Sequence, residues 1–136
     1  MTPPLHHRGL DHLAIAVADT DEALKTWRDR LGFRVLLAER VNNDTVLLTH
    51  LDLGNTQLQL VQPLVPDSPL AQAVRERGSH LHHFCLLVDD VAAAKAELDE
   101  TGIATAPNLH QGTAGKRALF LDKSATDGVQ VELTGR

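Results

Sequence analysis

From Leu10 to Val17 the chain alternates between small or polar side chains and bulky apolar ones. His12, Ala14 and Ala16 share one face of an extended segment and Leu13, Ile15 and Val17 share the other, which predicts a strand with a single bulky face. Asp19 then stands as a helix N-cap with Glu22 three positions on, the arrangement of a capping box. Leu24, Trp27 and Leu31 recur at helical spacing until Gly32 stops the run, so a helix is expected to cover the bulky face. The strand-like runs "FRVLLAERV", "TVLLTHLDL" and "TQLQLV" follow.

The pattern then starts again. "LHHFCLLVDDVAAAKAELDETGIAT" from Leu81 aligns with "LDHLAIAVADTDEALKTWRDRLGFRV" from Leu10, with Asp90 in the capping position, Val91, Ala94 and Leu98 as the apolar stripe and Gly102 as the stop. "RALFLD" and "GVQVEL" supply strands after the second helix. Between the halves, Ser68, Pro69 and Gly78 mark the cap, first turn and exit of a short helix in "PDSPLAQAVRERG". The expected fold is α+β: two βαβββ modules, residues 10–63 and 81–135, joined by a linker helix at 64–80. All lie in a single domain of residues 1–136, with the sheet curved into a cup and the helices outside.

The repeat changes how four polar residues are read. His83 falls on His12, and Glu132 in "VQVELT" falls on Gln59 in "TQLQLV". Gln57, Gln59, Gln130 and Glu132 are expected on the same side as Ala14, Ala16 and Cys85, the inner side of the cup. Of the 8 histidines, an isolated one such as His6, His7, His80 or His110 is ordinary surface or satisfied core. Adjacent strand residues point to opposite faces, so of His82 and His83 only His83 shares the face of its repeat mate. Four side chains of ligand type at repeat-related positions, one of them a carboxylate that burial disfavours without a partner, point to a metal held by His12, Gln59, His83 and Glu132. Two imidazoles, an amide oxygen and a carboxylate suit a divalent ion such as cobalt, nickel, manganese or zinc, and leave octahedral positions for two substrate oxygens. No Cys-x-x-Cys pair is present to build a structural zinc site.

Bulk properties narrow the function classes. A net charge of -5 with no cluster of Lys and Arg excludes a general affinity for nucleic acid. No apolar run approaches the roughly 20 residues that cross a bilayer, so no membrane role is expected. One cysteine, Cys85, and an N-terminus "MTPPLHHRGL" without the apolar core of a signal peptide give a cytoplasmic expectation.

The segments "DHLAIAV", "LGNTQLQLVQPLVPDSPLAQAV", "LHHFCLLVDDV", "GTAGKRALFL" and "GVQVEL" resemble the vicinal-oxygen-chelate superfamily over almost the whole chain. The "PDSP" stretch from Pro66, "HHF" from His82 and the "GTAGKR" loop from Gly112 resemble its methylmalonyl-CoA epimerase branch. The resemblance implies the same four ligands that the repeat selects. It also implies a reaction in which a proton between a thioester and a carboxylate is exchanged through a metal-stabilised enolate. Inversion needs acid-base groups on both sides of that enolate.

Where the family often has an acid, on the strand before the first ligand-bearing one, this chain has Leu48. His50 shares the strand face of Leu48, and His50 and Glu132 are therefore the candidate catalytic groups. The family's "FLHPKS" is replaced by "FLDKSA" from Phe120, which puts Asp122 where a histidine is usual. For a coenzyme A substrate, Gly115 and Lys116 are the candidate binding residues, with Gly112 and Arg117 in the same loop. A homodimer is expected by resemblance. Three alternatives share the fold: a glyoxalase I-like isomerase, an extradiol-type dioxygenase, and a ligand-binding protein without turnover.

Overall fold

A computed structural model describes residues 5–136; the N-terminal stretch read above for a leader begins outside them. The described chain falls into two compact units. One is His12–His82, and the other is His83–Arg136 together with the described residues up to Asp11.

In the first unit the elements run β1 (Leu10–Ala16, in this unit from His12), α1 (Thr20–Leu24), β2 (Val35–Val41), β3 (Val46–Asp52), β4 (Gln57–Pro63) and α2 (Pro69–Arg77). The strand order is β2-β3-β4-β1. β4 is antiparallel to β3 and parallel to β1, so the sheet is mixed. The Asp19 side chain accepts from Glu22 N, as its N-cap position requires. Ile15, Val17, Leu24, Leu51, Leu58 and Leu60 form the core between sheet and helix, with Leu13, Trp27 and Phe33 packed against it. Ala14, Val41, Leu48 and Val61 form a second, smaller cluster, against which Leu70 of α2 packs.

One expected core residue lies outside. Leu31 is 55% exposed. From Lys25 to Arg30 the helix widens to the π form, with Leu31 N bonded to Thr26 O. The five-residue bond breaks the 3.6-residue phase that would have turned Leu31 inward. Phe33, stacked on Trp27 with ring centroids 6.2 Å apart, packs against the core instead.

In the second unit the elements are β5 (His80–Leu87, in this unit from His83), α3 (Val91–Glu100), β6 (His110–Gln111), β7 (Arg117–Phe120) and β8 (Val131–Gly135). The strand order is β5-β8-β7-β6, again with one parallel pair and antiparallel neighbours. Asp90 caps α3 through Ala93 N, and Val91, Leu98, Leu119, Leu121, Val131 and Leu133 form the core. Both modules thus have the βαβββ order. The linker helix forms as its punctuation requires: Ser68 accepts from Ala71 N, and Gly78 leaves the helix at a positive φ of 69°. No helix among the described residues is long and apolar enough to cross a membrane.

Candidate functional site

The polar residues selected by the repeat are buried in both units. In the first unit His12 is 4% and Gln59 3% exposed. β1 and β4 set His12 beside Gln57 and Ala14 beside Gln59, and β3 sets His50 beside Gln59. His50 is also buried and joins the two glutamines: its Nδ1 lies 2.6 Å from Gln57 Oε1 and its Nε2 lies 3.0 Å from Gln59 Nε2. An amide oxygen can only accept and an amide nitrogen can only donate, so His50 is held as the neutral Nδ1–H tautomer. Gln59 therefore donates from its NH2 group to His50. The His12 ring stands edge-on to His50 at 5.9 Å.

In the second unit His83 Nε2 donates to Glu132 Oε1 at 3.2 Å, both side chains being buried. The other carboxylate oxygen, Oε2, accepts from His110 Nε2 at 2.8 Å. Phe120 stands between the two imidazoles, edge-on to His83 at 5.2 Å and stacked on His110 at 5.0 Å. Cys85 is the strand neighbour of Glu132, as Ala14 is of Gln59. Burial, followed by the charges of Glu132 and Asp11, pushes the Cys85 thiol far up, so it is no nucleophile.

This His and Glu pair meets the chemistry of a divalent cation. A buried carboxylate oxygen and an imidazole nitrogen already adjacent supply hard and borderline donors.

The loop from Gly112 to Arg117 turns through Ala114 at φ 56° and Gly115 at φ 75°, and no atom would meet a Cβ on Gly115 within 4 Å. Lys116 Nζ, partly exposed, lies 3.7 Å from Asp11 Oδ1. Asp122 caps a short turn through Ser124 N and Oγ. His110 was not singled out from the sequence, because β6 is two residues long and has no periodicity to read. The available signal was a histidine shortly before the glycine-rich turn, opposite Ala118.

Residues 11–120 match the model of the glyoxalase/bleomycin resistance protein/dioxygenase superfamily. The chain is 34% identical over 126 residues to the human mitochondrial methylmalonyl-CoA epimerase, covering 91% of this chain and 72% of that one. It is similar to the crystal structure of methylmalonyl-CoA epimerase from Mycobacterium tuberculosis, with a TM-score of 0.87 at 30% identity over 99% of this chain and 92% of that one. A second similar structure is a Streptomyces coelicolor methylmalonyl-CoA epimerase in complex with 2-nitronate-propionyl-CoA. Its TM-score is 0.84 at 28% identity, covering 96% and 98% of the two chains. The chain belongs to the glyoxalase/bleomycin resistance protein/dioxygenase superfamily. Within that class it is an enzyme, an isomerase of the epimerase kind.

Proposed function

We propose that the protein epimerises methylmalonyl-CoA or a similar acyl-CoA, with His12, Gln59, His83 and Glu132 holding one divalent cation, cobalt, nickel, manganese or zinc. The observation that carries this reading is the burial of all four residues at repeat-matched positions. The carboxylate has an imidazole at each oxygen, and the Gln59 amide nitrogen bonds to His50. The relatives are named for methylmalonyl-CoA, and the Streptomyces coelicolor structure holds an acyl-CoA analogue. When bound, the cation would supply positive charge against the negative charge of an enolate.

The chain's own groups have the remaining tasks. Glu132 and His50 are the proposed proton-handling residues. His50 can take a proton at Nε2 only by releasing the Gln59 amide, so proton movement there is tied to the seating of Gln59. Gly115, through open backbone, and Lys116, through its ammonium group, are proposed to meet the anionic part of coenzyme A. In this proposal the two units act as one domain, the protein works as a homodimer, and its setting is the cytoplasm. Elution at the mass of a single 14.8 kDa chain in size-exclusion chromatography with light scattering would refute the dimer.

The deciding experiment uses methylmalonyl-CoA of one configuration in deuterated water, with each of the four cations supplied. Deuterium uptake at the original carbon with loss of configuration is expected. A protein that exchanges no proton with any of the four is not this epimerase.

A further inference from the structure

In the second unit the side chain opposite Glu132 on β7 is Phe120, which cannot hydrogen-bond to a carboxylate. The hydrogen bond comes from one strand further out, where His110 on β6 reaches over Phe120 to Glu132 Oε2 at 2.8 Å. Three features fix the reach. β6 is held to β7 with His110 opposite Ala118, whose short side chain leaves the imidazole space. The ring lies on Phe120 at an interplanar angle of 18°. Gly112, which ends the strand, bonds through its N–H to Lys116 O, and a Cβ there would sit 3.3 Å from Thr134 Oγ1, so the loop runs close against β8.

A carboxylate with two equivalent oxygens can rotate and offer either one. The bond from His110 to Oε2 stops that rotation and keeps Oε1 as the oxygen beside His83 Nε2. We propose that His110 is a positioning residue that anchors Glu132 Oε2 and so presents Oε1, next to His83, as the metal-ligating oxygen. This rests on the metal reading above. Groups that hydrogen-bond a ligating side chain typically govern 10–100-fold in metal affinity, because they remove the orientational freedom that binding would otherwise have to remove.

The test is cobalt(II) chloride titrated calorimetrically into the chelator-treated full chain, with thermal unfolding of each metal-free protein alongside. Glu132→Ala serves as the control for the underlying reading. His110→Phe keeps a ring on Phe120 and deletes the donor; its dissociation constant should rise roughly 10–100-fold with little change in the metal-free unfolding midpoint. His110→Gln places an N–H near the position of Nε2 and should recover most of the affinity. His110→Asn places one near Nδ1 and should not. If Glu132→Ala binds cobalt like the parent, the ligand reading itself fails. If Glu132→Ala loses binding while His110→Phe keeps the parent's affinity, or Gln and Asn behave alike, the positioning role is overturned and the ligand reading stands.

Discussion

Gln59 and Glu132 occupy the same place in the two halves, and the halves support them differently. Around Gln59 the neighbouring strand supplies His50, which takes the amide N–H directly, and Gln57 locks its tautomer. Around Glu132 the neighbouring strand supplies Phe120, and His110 arrives from the strand beyond. A duplicated scaffold therefore sets where a ligand-type side chain stands but not what holds it. The difference follows chemical type: an amide needs an acceptor for its nitrogen, whereas a carboxylate needs donors for both oxygens. It also separates charge, since the described first-unit set of His12, His50, Gln57 and Gln59 contains no acid and the second contains Glu132.

The sharpest way to break the comparison is to erase that charge. Glu132→Gln would make the halves alike in residue type, remove the one anion among the four proposed ligands and leave the His83 and His110 bonds to a neutral group. Epimerase turnover should fall below detection, and cobalt affinity by more than the roughly 100-fold upper range for losing an outer partner. Gln59→Glu in the same background tests whether the charge can move. Recovery of affinity would mean that the site needs a carboxylate in either half and that the asymmetry is incidental.

The second contrast is at the strand ends. Gln62 and Gly135 are repeat counterparts. Gln62 Oε1 accepts from Thr20 N at the start of α1, whereas Val91 N at the start of α3 bonds to Arg136 O, a backbone atom. The second unit has no room for a side chain at Gly135, where a Cβ would collide with the carbonyl of Val88. Gly135→Ala should destabilise by about 1–3 kcal/mol through overpacking. Gln62→Ala, which removes an acceptor at a partly open position, should cost about 1 kcal/mol. Equal costs in thermal or denaturant unfolding would show that the close approach to Val88 is yielding.

The turns after the second strand of each module differ in charge. Asn42, Asn43 and Asp44 follow β2 in left-handed conformations, and the corresponding loop before β7 carries Lys116 beside Gly115. If that loop meets the anionic end of the substrate, Lys116→Ala should raise KM about tenfold with kcat nearly unchanged, near the lower range for a hydrogen bond to a charged group. An unchanged KM would remove Lys116 from the binding surface.

These contrasts mark what can be read from sequence. The repeat was legible because strand faces and helix caps are written locally: Asp19 and Asp90, Gly78, and the alternation through His12 and His83 each depend on near neighbours. The loss of Leu31 from the core was not, because a π widening depends on how Trp27 and Phe33 pack. Nor could the partners of the site residues be read. His50 meets Gln57 and Gln59 only through the β3–β4 register, and His110 meets Glu132 only through a two-residue strand and a ring stacked beneath it. Types and faces are local properties, whereas partners across a sheet are set by register.

The smallest expected difference lies where the two halves are most alike. Asp19 and Asp90 have the same extended backbone, with φ of −147° and −144°, and each accepts from the amide three residues on. Asp→Ala at either cap should cost about 1 kcal/mol. The helices behind the caps differ: α1 gives way to the π segment after five residues, while α3 runs for ten with Val91 and Leu98 fully packed. If cap loss simply leaves a backbone N–H to water, the two variants should lower the unfolding midpoint equally, by roughly 3–5 °C. If the short helix depends on its cap to hold the first turn, Asp19→Ala should cost more than Asp90→Ala, because fewer packed turns remain to keep Thr20 and Leu24 in place. We expect the second result, and equality of the two midpoints would show that packing on Ile15 and Val17, not the cap, defines where α1 begins.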